Sequence, residues 1–97
     1  MGENELTEWD DLKNDQNIDR RKLDFAGLEA AFDGRFSVVR TDIRRDYGEQ
    51  RSNMLVELNG IILNITFTPR GGKQRIISAR LANRRERRLY YAQQQNS

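Results

Sequence analysis

The chain has 97 residues, a net charge of +2, and neither cysteine nor histidine. That length makes one domain over residues 1–97 with a modest hydrophobic core, and no disulfide framework exists to reinforce it. The two absences speak against zinc, haem or iron–sulfur chemistry, since carboxylates alone would have to bind a metal, and no metal or cofactor is expected.

Residues 1–7 and 94–97 are polar and expected to fray. From Trp9, the stretch WDDLKNDQNIDRRK places Trp9, Leu12 and Ile18 at helix-like spacing, with acids early and bases late. That order complements a helix dipole and predicts a short first helix with a sparse apolar stripe. Asp24 is a fair N-cap for a second helix over DFAGLEAAF, where Phe25, Leu28, Ala31 and Phe32 recur at helical spacing; Asp33-Gly34 ends it. A strand is predicted over Arg35–Thr41, then a polar loop marked by Tyr47-Gly48. Asn59-Gly60 is a strong hairpin signal between strands at Arg51–Leu58 and Ile61–Thr68.

Alternation in the second hairpin strand puts Ile61, Leu63, Ile65 and Phe67 on a dry face and Ile62, Asn64, Thr66 and Thr68 on the other, mostly polar one. After a turn at Pro69–Gly72, the last strand runs from Gln74 to Arg80. With Ile77 and Ala79 toward the core, Ser78 and Arg80 project beside Asn64 and Thr66. Asn83 and Glu86 form a capping-box pattern that starts a final helix through about Gln93. The predicted architecture is α+β: two N-terminal helices, a four-stranded antiparallel sheet and a C-terminal helix.

Charge is segregated along this layout. Residues 1–33 carry ten acids and four bases, residues 34–97 five acids and thirteen bases. Between Arg70 and Arg88 there are eight basic residues and one acid, followed by Tyr90 and Tyr91. Cations beside aromatics suit a polyanion with stacked bases, which points to RNA. Arginines on a polar sheet face can grip phosphate bidentately, and Tyr47, Tyr90 and Tyr91 could stack on bases. Simpler readings stand beside these: a solvated face for the helix arginines, and core packing for Tyr90. Arg80 lies within the sheet and needs an anion, either a salt bridge to Glu57 or Glu49 or a bound phosphate. The N-terminus lacks the apolar core of a signal peptide and no run could span a bilayer, so a cytoplasmic protein without membrane contact is expected.

RNA cleavage requires a base for the 2′-hydroxyl, charge stabilisation at phosphorus and an acid for the leaving oxygen. Without histidine, the candidates for proton transfer are Glu49, Glu57, Lys13, Lys22 and the tyrosines. A site of this kind can also act by positioning the RNA, whose own hydroxyl is the nucleophile.

The ordered motifs EWD (8–10), KN (13–14), NI (17–18), DF (24–25), DYGEQR (46–51), TPRGG (68–72), RIISAR (75–80) and NRRERRLYY (83–91) resemble the BrnT toxins, small ribonucleases of type II toxin–antitoxin systems with a RelE-like fold. The resemblance runs from Glu8 to about Tyr91. It implies metal-independent RNA cleavage that inhibits translation and neutralisation by a BrnA-type antitoxin with a ribbon-helix-helix domain, with operator DNA bound only through that antitoxin. Lys13, Glu49, Arg51, Arg70, Arg80 and Arg84 match the family positions, with Tyr90 and Tyr91 beside them. Arg51, Arg80 and Arg84 are assigned to charge stabilisation and Glu49 to the catalytic base. Lys13, Arg21, Arg70, Arg85, Arg88 and Tyr91 are assigned to RNA binding. One departure stands out: where the family often reads NIxKHGVxF, this chain reads NIDRRKLDF, with Arg21 in place of the histidine. A non-catalytic module that binds RNA or the antitoxin as a co-repressor is the alternative, favoured by the absence of histidine.

Overall fold

Residues 1–42 and 50–96 are described by the computed structural model. They form β1 (Gly2–Glu3), β2 (Thr7–Trp9), α1 (Asp11–Arg21), two 3-10 turns (Phe25–Gly27 and Glu29–Phe32), β3 (Ser37–Asp42), β4 (Arg51–Leu58), β5 (Ile61–Arg70), β6 (Lys73–Leu81) and α2 (Arg84–Gln95). The strands make one six-stranded mixed sheet in the order β1-β2-β6-β5-β4-β3. The α+β class is as expected; the element list differs in three ways.

First, the polar N-terminal stretch supplies two strands. β2 pairs parallel to β6 through Thr7↔Gln74 and Trp9↔Ile76, and β1 pairs antiparallel to β2. Trp9 is therefore a buried strand residue rather than the start of a helix. Gly2 lies against its indole, where a Cβ would fall 2.1 Å from Nε1. Second, DFAGLEAAF is not a helix. Asp24 caps Ala26 N–H at 2.9 Å as an N-cap should, but two 3-10 turns follow, with Gly27 ending the first. Phe25, Leu28 and Ala31 still reach the core, and Phe32 meets Phe67 edge-to-face at 5.1 Å. Third, the sheet is six-stranded and mixed, not four-stranded and antiparallel. The arrangement thus departs in these elements from the expected RelE-like layout.

The central hairpin is as predicted. Asn59 (φ 54°) and Gly60 (φ 81°) both adopt the left-handed region that the two-residue turn requires, and β4 pairs with β5 from Ser52↔Phe67 to Leu58↔Ile61. One sheet face packs Met54, Val56, Leu63, Ile65, Phe67, Ile76 and Ala79 against Trp9 and the residues of the 3-10 turns. Ile76 takes the core position expected for Ile77, because a β-bulge between Thr66 and Phe67 shifts the register. On the opposite face, α2 covers one end only: Tyr90 packs on Leu55, Ile62 and Ala82, with Phe36 edge-to-face at 5.3 Å. Among the described residues, the rest of that face stays open.

α1 docks by polar side chains, not by the apolar stripe. Leu12 is 67% exposed and Ile18 37%, whereas Asn14 and Asn17 are buried. Asn14 donates to Asp24 Oδ1 and accepts from Phe25 N–H at 2.8 Å. Asn17 donates to the Leu23 carbonyl and accepts from Ala79 N–H at 3.1 Å, satisfying the edge of β6 beyond the end of β2. Asn17→Ala orphans both groups and is expected to destabilise the fold by about 2–3 kcal/mol. Leu12→Ala is expected to cost under about 0.5 kcal/mol; urea unfolding of the two variants checks the inversion. The helix ends at Lys22 in the left-handed region (φ 61°), a conformation that favours glycine. Lys22→Gly is expected to stabilise the protein by about 0.5–1 kcal/mol, read as a rise in Tm of a few degrees.

Candidate functional site

The half of this face that α2 leaves uncovered is largely polar, because alternation sends Met54, Val56, Leu63, Ile65, Phe67 and Ile76 to the other face. Two cross-strand rows form its floor. Asn53, Thr66 and Ser78 are register partners across β4, β5 and β6; Leu55, Asn64 and Arg80 form the next row. A cleft of about 640 Å³ lies over this floor. Lys13, Gln16, Arg20 and Arg21 of α1 line it, as do Arg40 and Asp42 of β3, Ile77 of β6 and Glu86 of α2.

Arg80 is the most firmly held cation there. Its Nη1 lies 2.7 Å from Glu86 Oε1 and its Nη2 2.9 Å from Glu86 Oε2, a bidentate pair. The same carboxylate accepts from Asn64 Nδ2 at 2.8 Å and from Asn83 N–H at 2.9 Å. In return Asn83 Oδ1 accepts from Glu86 N–H at 2.8 Å, so the expected capping box is present. Glu86 thus starts α2 and fixes the guanidinium. Its side chain is 11% exposed, that of Arg80 36%, which leaves part of the guanidinium facing the cleft. The Arg80 bonds, with those from Asn83 and Asn64, hold the Glu86 carboxyl down at about 2. Such a carboxylate is a fixed counter-ion and a poor proton acceptor.

The expected salt bridge of Arg80 to Glu57 is replaced by this pair. Glu57 contributes its backbone carbonyl to Arg35 instead, while Glu49, together with Tyr47, lies outside the described residues. Of the other sequence-derived candidates, Lys13 and Arg21 line the cleft with Arg80. Arg51 begins β4 opposite Asp42, half-buried and outside the cleft lining. Arg84, Arg88 and Tyr91 line a separate shallow depression on α2 with Arg87. Arg85 is exposed on α2 and Arg70 at the end of β5; neither lines the cleft. Tyr90 is core, and burial raises its phenol pKa.

Sequence reasoning passed over Arg20, Arg40 and Asn53 as cleft residues and Glu86 as the partner of Arg80. Arg20 had a readable signal, since it follows Lys13 and Gln16 by seven and four positions and shares their helix face. Among the described residues no group of acids could hold a metal ion, and no helix is long and apolar enough to cross a membrane.

Among the described residues the cleft presents four cations around the fixed Arg80 on a largely polar floor, an arrangement that can hold a phosphodiester chain and stabilise charge developing on it. No curated protein matches the chain. A family model described as "Ribonuclease toxin, BrnT, of type II toxin-antitoxin system" matches residues 9–86, which include α1, the whole β3–β6 sheet and the Arg80–Glu86 pair. The chain therefore belongs to the BrnT family of ribonuclease toxins of type II toxin–antitoxin systems.

Proposed function

We propose that this protein is a metal-independent endoribonuclease that cuts RNA in the cleft, inhibits translation and is neutralised by a ribbon-helix-helix antitoxin of the BrnA type. The observation that carries the reading is the Arg80 guanidinium, held bidentately by Glu86 and turned into a cleft lined by Lys13, Arg20, Arg21 and Arg40. In the proposed reaction the RNA 2′-oxygen attacks the adjacent phosphorus. The bond to the 5′-oxygen breaks as that oxygen takes a proton from water, leaving a 2′,3′-cyclic phosphate and a 5′-hydroxyl. Arg80 stabilises the extra negative charge on the phosphoryl oxygens, and Lys13 and Arg21 hold neighbouring phosphates. Glu49 is our candidate base for the 2′-hydroxyl proton. Arg51 supports the charge of the reacting strand, while Arg84, Arg85, Arg88, Arg70 and Tyr91 bind RNA leaving the cleft.

A non-catalytic reading, in which the cleft only binds RNA or an acidic antitoxin segment and the protein acts as a co-repressor, is favoured by one observation. The acid beside Arg80 is saturated by four donors and cannot serve as a base near neutral pH. Induction without the antitoxin separates the readings. Growth arrest, with cellular RNA ending in 2′,3′-cyclic phosphates, is the expected outcome; normal growth with intact RNA would favour the co-repressor.

A further inference from the structure

The cleft contains two chemically distinct sets of groups. The cations serve phosphates, which carry no sequence information, whereas neutral amides and hydroxyls are the groups that read base edges. The two floor asparagines differ sharply in status. Asn64 is buried and its amide nitrogen is committed to Glu86. Asn53 is half-buried, and its Oδ1 accepts from Thr66 Oγ1 at 2.7 Å. That bond orients the amide and leaves Nδ2 without an acceptor among the described residues. Beyond Thr66 in the same row, Ser78 is exposed and its hydroxyl has no partner among the described residues.

An amide that is oriented on one side and open on the other is a preorganised donor. Water could satisfy it, but its place on the floor of a cation-lined cleft puts it where the base of a phosphate-anchored nucleotide would lie. We infer that Asn53 and Ser78, with Thr66 as the group that orients Asn53, form a nucleobase subsite. Asn53 Nδ2 donates to a carbonyl oxygen or ring nitrogen of the base, and the Ser78 hydroxyl bonds a second edge atom. The ligand is single-stranded RNA, since only unpaired bases expose those edges to a sheet surface. The subsite rests on the reading that the cleft holds RNA, but not on cleavage.

The test is fluorescence anisotropy of the full chain with short labelled single-stranded homopolymers of A, C, G and U. The wild type is expected to bind one of them at least about tenfold tighter than the weakest, the discrimination that one good base contact provides. Asn53→Ala is expected to bring all four within about threefold of each other. Ser78→Ala, at an exposed position on which no packing depends, is expected to narrow the spread by at least about threefold. Equal binding of all four by the wild type, or an unchanged spread in either variant, overturns the subsite. Binding of none would instead sink the RNA reading of the cleft, and selective binding without cleavage would sink only the catalytic one.

Discussion

Replacing Arg80 by alanine is expected to lower kcat/KM for RNA cleavage by about 10²–10³-fold, the usual cost of removing a preorganised donor aimed at developing charge. The same change is expected to reduce stability by only about 1–3 kcal/mol. The modest second figure follows from the network: without Arg80, the Glu86 carboxylate still accepts from Asn64 and from Asn83 N–H. Arg80→Lys keeps a positive charge but loses the fork that spans both Glu86 oxygens, and is expected to recover less than about a tenth of the activity. Single-turnover cleavage with thermal melts of each variant reads both quantities. Activity of Arg80→Ala within about threefold of wild type would remove Arg80 from the reaction.

The second large effect is on acid stability. The Glu86 carboxyl is lowered from 4.5 to about 2 in the fold, chiefly by its bonds to Arg80. A lowered folded-state pKa contributes stability that is fully present above about 4.5 and is lost as pH falls toward 2. For a shift of this size on a largely buried group the contribution is on the order of 3 kcal/mol. Asp33, beside Arg35, is also lowered to about 2 but is exposed, so a comparison is needed to isolate Glu86. Glu86→Gln is expected to flatten the loss of stability between about pH 4.5 and 2.5 and to be less stable than wild type at pH 7. It should also lower cleavage roughly tenfold, since an amide cannot accept two guanidinium bonds in the same way. Urea unfolding of both proteins across that pH range measures the difference. Parallel pH profiles would show that Glu86 contributes nothing through its charge.

The strong local signals in this chain correspond to real elements. Asn59-Gly60 marks its turn, alternation in β5 separates Leu63, Ile65 and Phe67 from Asn64 and Thr66, and Asn83 with Glu86 starts α2. Elements that depend on distant partners were not legible. β1 and β2 are two and three residues long, and β2 exists because β6, more than sixty residues later, supplies a free edge. The docking face of α1 was hidden for a different reason. A hydrophobic pattern points to Leu12 and Ile18, yet Asn14 and Asn17 are buried because they satisfy backbone groups of the following turn and of β6. The bulge that exchanges Ile76 for Ile77 leaves no trace in alternation until the register is known.

The site was legible in part. Ser78, Arg80, Asn64 and Thr66 were placed together by strand alternation alone, and they do share the cleft. The partner of Arg80 was missed because Glu86 already had a local role in the capping box. One carboxylate has room for about four donors, and here it serves the helix, the arginine and Asn64 at once. Arg84 and Arg88, which adjoin Arg80 in the same basic run, face a different surface, because the chain turns from β6 into α2 between them.

Cleavage of RNA in the Arg80–Glu86 cleft without a metal ion is read directly by incubating the purified protein with RNA in excess EDTA. Cleavage products bearing 2′,3′-cyclic phosphates are expected from the wild type and not from Arg80→Ala. Intact RNA with the wild type and also with Arg21→His would show that this cleft does not cut RNA.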